Sequence, residues 1–161
     1  MKQPTKWLDA ALIALGLKQV AWADDVSDFR ETLQAAERGD ARAQFNLGWM
    51  YENGQGVRQD DAEAVRWYRQ AAEQGYAVAQ TNLGVMYDNG QGVRQDDAEA
   101  VKWYRQAAAQ GHGNAQNNLG VMYENGRGVR QDLALAQEWF GKACQNGDQK
   151  GCYNFLRLRG Y

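Results

Sequence analysis

A 36-residue text recurs three times without insertion, at residues 41–76, 77–112 and 113–148. A fixed period of this length is the signature of a stacked solenoid, because one unit cannot bury its apolar face alone and leans on its neighbours. Each copy holds two helical patterns joined by a glycine-rich corner. In the first, Ala43, Leu47, Met50 and Tyr51 fall on one helical face. Gly48, Gly84 and Gly120 lie inside this helix, where glycine costs ~1 kcal/mol against alanine. A neighbouring helix is therefore expected to approach closely there. The helix is expected to stop at Asn53-Gly54, since glycine takes the left-handed terminal conformation without strain, and the corner spans residues 55–59. The second helix starts at Asp60, with Glu63 placed for a capping box. It carries Ala64, Trp67, Tyr68, Ala71 and Ala72 on its apolar face, and Gly75 ends it. The expected fold class is all-α, a solenoid of antiparallel helix pairs.

Residues 1–23 do not belong to this pattern. Lys2 and Lys6 make a short basic start, residues 8–17 are mostly apolar, and Ala21-Trp22-Ala23 has the small-x-small form of a cleavage site. The segment reads as a secretory signal peptide cut after Ala23. Its apolar run is far shorter than the ~20 residues that span a bilayer, so no membrane insertion is expected after cleavage. The chain is thus expected to be exported, to the periplasm or beyond. Residues 24–40 align with the second half of the repeat, Asp24-Asp25 with Asp60-Asp61, and read as an N-terminal cap helix. Residues 149–161 align with a truncated first helix, Phe155 standing in register with Leu47, Leu83 and Leu119, and read as the C-terminal cap. The solenoid is then residues 24–161.

Charge and residue inventory exclude several functions. The formal charge is −2, and −4 once Lys2, Lys6, Lys18 and Asp9 are removed with the leader. The arginines are spread at repeat spacing rather than clustered, so no nucleic-acid partner is expected. Beyond the leader the chain has one histidine, His112, and one serine, Ser27. A Ser-His-Asp arrangement would have to draw these two together from the N-terminal cap and a repeat boundary. No cluster has the ligands of a zinc site. Gly-x-Gly at Gly54/Gly56, Gly90/Gly92 and Gly126/Gly128 lacks the preceding strand and following Lys-Ser/Thr of a phosphate cradle, and its threefold recurrence favours a helix corner. No catalytic residue, metal or cofactor is expected. Cys144 and Cys152 are the only cysteines. Asn146-Gly147-Asp148 breaks the helix between them, so antiparallel helices meeting there would bring the sulfurs together. In an exported protein such a pair reads as a disulfide; two buried thiols or a redox pair are the alternatives.

The run Leu47-Gly48-x-x-Tyr51-x-x-Gly54-x-Gly56-Val57, with Asp60, Ala64, Trp67-Tyr68, Ala71-Ala72 and Gly75, resembles the Sel-one-like repeat (SLR), a relative of the tetratricopeptide repeat. The resemblance implies a right-handed superhelix and use as a scaffold that binds a protein or peptide in its concave groove. The cysteine pair is similar to the helix-joining pair of the exported, cysteine-rich SLR branch, which also implies a disulfide between Cys144 and Cys152. Some members of that branch are described as binding or weakly hydrolysing β-lactams, so binding or hydrolysis of β-lactam or peptidoglycan fragments is the alternative function. The Ser-x-x-Lys motif of such chemistry is absent, Ser27 being followed three residues on by Arg30. A structural subunit of an envelope complex is a third reading.

By the same resemblance, the groove is lined by the first-helix positions that vary between copies, together with an acidic position constant in sign. These are Arg42, Phe45, Trp49 and Glu52; Val78, Thr81, Val85 and Asp88; and Asn114, Asn117, Val121 and Glu124. Four such helices ~10 Å apart make a groove of roughly 30 Å, room for about nine residues of extended chain. Phe45 and Trp49 suggest an apolar anchor at one end, and the acidic ladder suggests a ligand with some positive charge. Asn46, Asn82 and Asn118 border the groove.

Overall fold

The computed structural model describes residues 23–160, so the signal-peptide reading falls, up to residue 22, outside the described residues. Eight helices and no strand occur among them. Residues 23–37 form α1. It is followed by α2 (Ala41–Asn53), α3 (Asp61–Glu73), α4 (Ala77–Asn89), α5 (Asp97–Ala109), α6 (Gly113–Asn125), α7 (Leu133–Gln145) and α8 (Gln149–Arg159). The even-numbered helices are the first, or A, helices of the repeats; the odd-numbered are the second, or B, helices. From α2 onward each helix packs on the next along the chain, the contact pattern of a solenoid.

The helix ends follow from local chemistry. Gly54, Gly90 and Gly126 close α2, α4 and α6 in the left-handed conformation. Asp60 caps α3 by accepting from the N–H groups of Ala62 and Glu63 at 3.0 and 3.1 Å. Only that half of the expected capping box forms, since Glu63 pairs with Arg66 instead.

Two apolar clusters make the core. One gathers Ala64, Val65, Tyr68, Leu83, Met86 and Trp103. The other gathers Ala100, Val101, Tyr104, Leu119, Met122 and Phe140, with Phe155 of α8 packed against it. The glycines inside the A helices are the seats for large B-helix rings. A Cβ added to Gly84 would stand 2.6 Å from a ring carbon of Tyr104; Gly48 meets Tyr68 and Gly120 meets Phe140 at the same 2.6 Å. Gly84→Ala therefore sets a propensity gain of ~1 kcal/mol against overpacking of about 1–3 kcal/mol. The expected net result is a loss of about 1 kcal/mol in urea unfolding. A gain would mean that the ring has room to move away.

A second set of contacts joins successive repeats through buried amides. Gln44, Gln80 and Gln116 donate through Nε2 to the carbonyls of Ala36, Ala72 and Ala108 at 3.2, 3.0 and 3.1 Å. Their Oε1 atoms accept from Gln74, Gln110 and Asn146 at 2.7, 2.9 and 2.9 Å. Buried polar groups without partners are costly, and here donor and acceptor are both satisfied at each joint. At the last joint the equivalent positions are Cys144 and Cys152, and they form a disulfide with Cα atoms 4.4 Å apart.

Candidate functional site

The twelve A-helix positions expected to line the groove separate into distinct groups. Arg42 and Asn114 are exposed, and Trp49 is 44% exposed. Val78, Val85 and Val121 are half-buried, the last two packed on the core. Phe45 is a packing residue: its ring lies 5.6 Å from that of Tyr68 and 5.5 Å from that of Tyr76. Thr81 and Asn117, in register with Phe45, are only 2% and 5% exposed. Thr81 Oγ1 donates to the Ala77 carbonyl and lies 2.9 Å from Nδ1 of His112. Asn117 Oδ1 accepts from Asn154 at 2.9 Å.

Donors of the chain itself meet the acidic ladder. The Tyr68 hydroxyl donates to Glu52 at 2.5 Å, and that of Tyr104 to Asp88 at 3.4 Å. Burial first, and then the neighbouring carboxylate, push both phenols well above their ordinary pKa, so they remain donors. Arg127 bridges Asp88 and Asp97. In the third repeat Phe140 has no hydroxyl to offer Glu124, and Arg157 of α8 takes that carboxylate at 2.8 Å. Asn82 and Asn118 stand beside the Tyr68 and Tyr104 hydroxyls.

The first repeat differs. Thr32 of α1 stands in register with Tyr68 and Tyr104, so Asn46 has no ring hydroxyl beside it. Between α1 and α2 lies a recess of about 380 Å³, lined by Asp28, Glu31 and Thr32 of α1 and by Asn46, Trp49 and Met50 of α2. Neither Asp28 nor Glu31 has an ion-pair partner among the described residues. An indole face beside two carboxylates can hold a cation with an apolar stem, through ring and charge together. Trp49 and Asn46 were visible in the sequence. The α1 wall was not, though its signal was present: Asp28 and Thr32 depart from the alanine and aromatic at those positions in every full repeat.

Among the described residues, the serine and the histidine lie on different elements. Ser27 is exposed on α1, while His112 sits at the N-cap of α6 against Thr81. Among the described residues no group of three or more His, Cys, Asp or Glu could hold a metal ion, and no helix is long and apolar enough to cross a membrane. The Gly-x-Gly corners are filled by backbone rather than open to a ligand: a Cβ on Gly92 would fall 2.2 Å from the carbonyl oxygen of Asp61.

His112 gives the joint a pH dependence. Burial lowers its pKa, while Asp148 pulls it the other way. A histidine with a depressed folded pKa binds fewer protons folded than unfolded. Its contribution is complete above the unfolded value of about 6.5 and declines as pH falls through that value towards the folded one. Melting temperature is expected to drop between pH 7.5 and 5.5, and His112→Asn to flatten that drop. An unchanged slope in the variant would place the titrating group elsewhere.

The helix pairs, stacked repeat on repeat, define a helical-repeat solenoid. The chain belongs to the Sel1 repeat family, whose repeat matches residues 41–76, 77–112 and 113–148. It is similar in structure to c5321, a protective antigen of uropathogenic Escherichia coli with an SLR fold (TM-score 0.76, 46% identity), covering 80% of this chain and 28% of that one. The chain thus spans little more than a quarter of that protein. It is also similar to a Sel1 repeat protein from Oxalobacter formigenes (TM-score 0.74, 43% identity), over 81% of this chain and 98% of that one. Cysteine rich protein B of Helicobacter pylori shares the fold at 22% identity, with a TM-score of 0.65 over 82% of this chain and 95% of that one. A search of curated proteins returned no match. Sel1-repeat proteins are generally protein–protein interaction scaffolds and are typically not enzymes.

Proposed function

We propose that the chain is an exported scaffold that binds an extended peptide or protein segment along its A helices, anchored in the recess between α1 and α2. The exposed indole of Trp49 beside Asp28 and Glu31 carries this reading. Tryptophan is enriched among residues that dominate binding energy, and the two carboxylates favour a segment with a lysine or arginine next to an apolar residue. Export is supported by the Cys144–Cys152 bridge, since disulfides persist in oxidising compartments. The middle of the groove contributes less than its composition suggests, because Thr81 and Asn117 are buried and the acidic ladder is engaged internally.

Selection of displayed nine-residue peptides against the full chain tests this. Enriched binders are expected to carry a basic residue beside an apolar one, and Trp49→Ala to weaken them by about tenfold or more, as for an interface hot spot. The variant should keep its melting temperature, whereas Phe45→Ala, which opens a gap between Tyr68 and Tyr76, should not. Binders that hold Trp49→Ala undiminished would sink the reading.

A further inference from the structure

The first and last helices among the described residues are the halves of one repeat. Helix α1 is a B helix, and α8 is an A helix. In every full repeat the A helix offers a glycine and the B helix fills it with a ring: Gly48 with Tyr68, Gly84 with Tyr104, Gly120 with Phe140. At the ends the sizes are exchanged. Leu156 of α8 is in register with the glycines, and Thr32 of α1 is in register with the rings. Leu156 closes its seat to any B helix bearing an aromatic there, while a threonine leaves it room.

Exposure and charge agree with this exchange. Leu156 is 49% exposed and Tyr153, in register with Phe45, is 67% exposed. Helix α8 carries Lys150, Arg157 and Arg159 and no acidic residue, whereas α1 carries five carboxylates and one arginine. Within the repeats, the N–H groups of Asp60, Asp96 and Asp132 donate to the carbonyls of Tyr51, Tyr87 and Tyr123 at 2.9, 3.0 and 3.0 Å. Arg159 is in register with those tyrosines and Asp24 with those aspartates, so an α8–α1 pair in the same geometry sets Arg159 beside Asp24. Asp28 lies one turn further along that face of α1.

We propose that, with the leader cleaved as the proposed export requires, α8 of one copy and α1 of a second copy pack as the A and B helices of a composite repeat, continuing the solenoid from chain to chain. The contact is head to tail and does not close on itself, so assembly grows beyond a dimer. It lies at the α1 wall of the Trp49 recess but requires no peptide, so it goes beyond the binding function proposed above.

The test is sedimentation velocity on protein purified from cells making the full chain, between about 1 µM and 1 mM, the range of weak to moderate association. Species larger than dimer are expected to appear with concentration and to recede as salt is raised, because the opposing charges are screened. Thr32→Tyr sets a ring against Leu156 and is expected to raise the concentration needed by about tenfold or more. Thr32→Tyr/Leu156→Gly recreates the internal pair and is expected to restore assembly. Leu156→Glu, at a half-exposed position, sets a carboxylate against those of α1 and should also abolish it, with melting temperature unchanged. A monomer throughout, a dimer that grows no further, assembly indifferent to Thr32→Tyr, or a double variant no better than the single would each overturn the proposal. Trp49→Ala is expected to leave assembly intact, which separates its failure from that of the peptide reading.

Discussion

Replacing Gly92 by alanine is expected to remove about 2–5 kcal/mol of stability, combining left-handed backbone strain with a backbone collision. Gly92 has φ of +66°, and its missing Cβ would fall 2.2 Å from the carbonyl oxygen and 2.3 Å from the carbonyl carbon of Asp61. The left-handed conformation alone costs an L-residue about 1–2 kcal/mol. The collision adds more, because it is with the start of α3 and not with a side chain that can swing away. Relief requires the second corner to lift off the preceding repeat, which opens the stack. Gly90→Ala is the internal control: its φ is +64°, but the nearest atom is the Gln95 Cβ at 3.0 Å. It should lose about the backbone term and little else, ~1–2 kcal/mol. Equal losses for the two variants in urea unfolding would mean that the corner does not seat on Asp61. The experiment also bears on function. The inner side of Gly92 faces a carbonyl oxygen, an acceptor that repels phosphate.

Much of this architecture was legible in the sequence because solenoid physics repeats itself. A period of 36 residues, a glycine at each helix end and a glycine within each A helix all have local causes, and the structure places a ring at each interior glycine. The candidate site was less legible, for a related reason. Positions 45, 81 and 117 vary between copies, which suggested freedom to meet a ligand. Two of them vary together with their packing partners, Phe45 with Tyr76 and Thr81 with His112, while Asn117 bonds to Asn154, whose register position is asparagine in every copy. In those two, apolar matches apolar and polar matches polar, so variation there reflects a changed pair rather than a free surface. The acidic ladder misled in the opposite way. Its constancy suits a constant hydroxyl at Tyr68 and Tyr104, and where Phe140 removes the hydroxyl, Arg157 replaces it as partner. The burial of Gln44, Gln80 and Gln116 is not legible in the sequence, because hydropathy places an amide outside. Their burial depends on donors and carbonyls from neighbouring helices, which a single-helix pattern does not contain.

The joints allow one more expectation, since nature has built the same corner in two chemistries within one chain. Removing the C-terminal bridge with Cys144→Ala/Cys152→Ala should cost about 2.5 kcal/mol in the chain-entropy view of a loop this short. Cys144→Ala/Cys152→Gln restores the internal type of joint, an amide onto a carbonyl, and should recover about 1 kcal/mol of that loss, the worth of one such hydrogen bond. The reverse exchange is the more demanding test. The backbone at the second joint matches that at the last: Gln74 and Asn146 have φ/ψ of −81/0° and −90/15°, and Tyr76 and Asp148 have −71/104° and −79/111°. Gly75 and Gly147 follow with φ of +88° and +86°. Ala72→Cys/Gln80→Cys should therefore form a bridge without moving the helices. The Ala72 carbonyl loses the Gln80 amide but still accepts from the N–H of Gly75 at 3.0 Å, and Gln110 loses its acceptor on Gln80, so the hydrogen-bond loss is about 2 kcal/mol against a gain of about 2.5 kcal/mol. Oxidised protein should gain about 0.5 kcal/mol over the parent, and after reduction that joint should be weaker by about 2 kcal/mol than the native one. Two free thiols at positions 72 and 80 after oxidation, with the native bridge intact, would show that the joints are not equivalent. The glutamine and the disulfide would then answer to different geometries, and the register that relates the repeats would stop short of the last one.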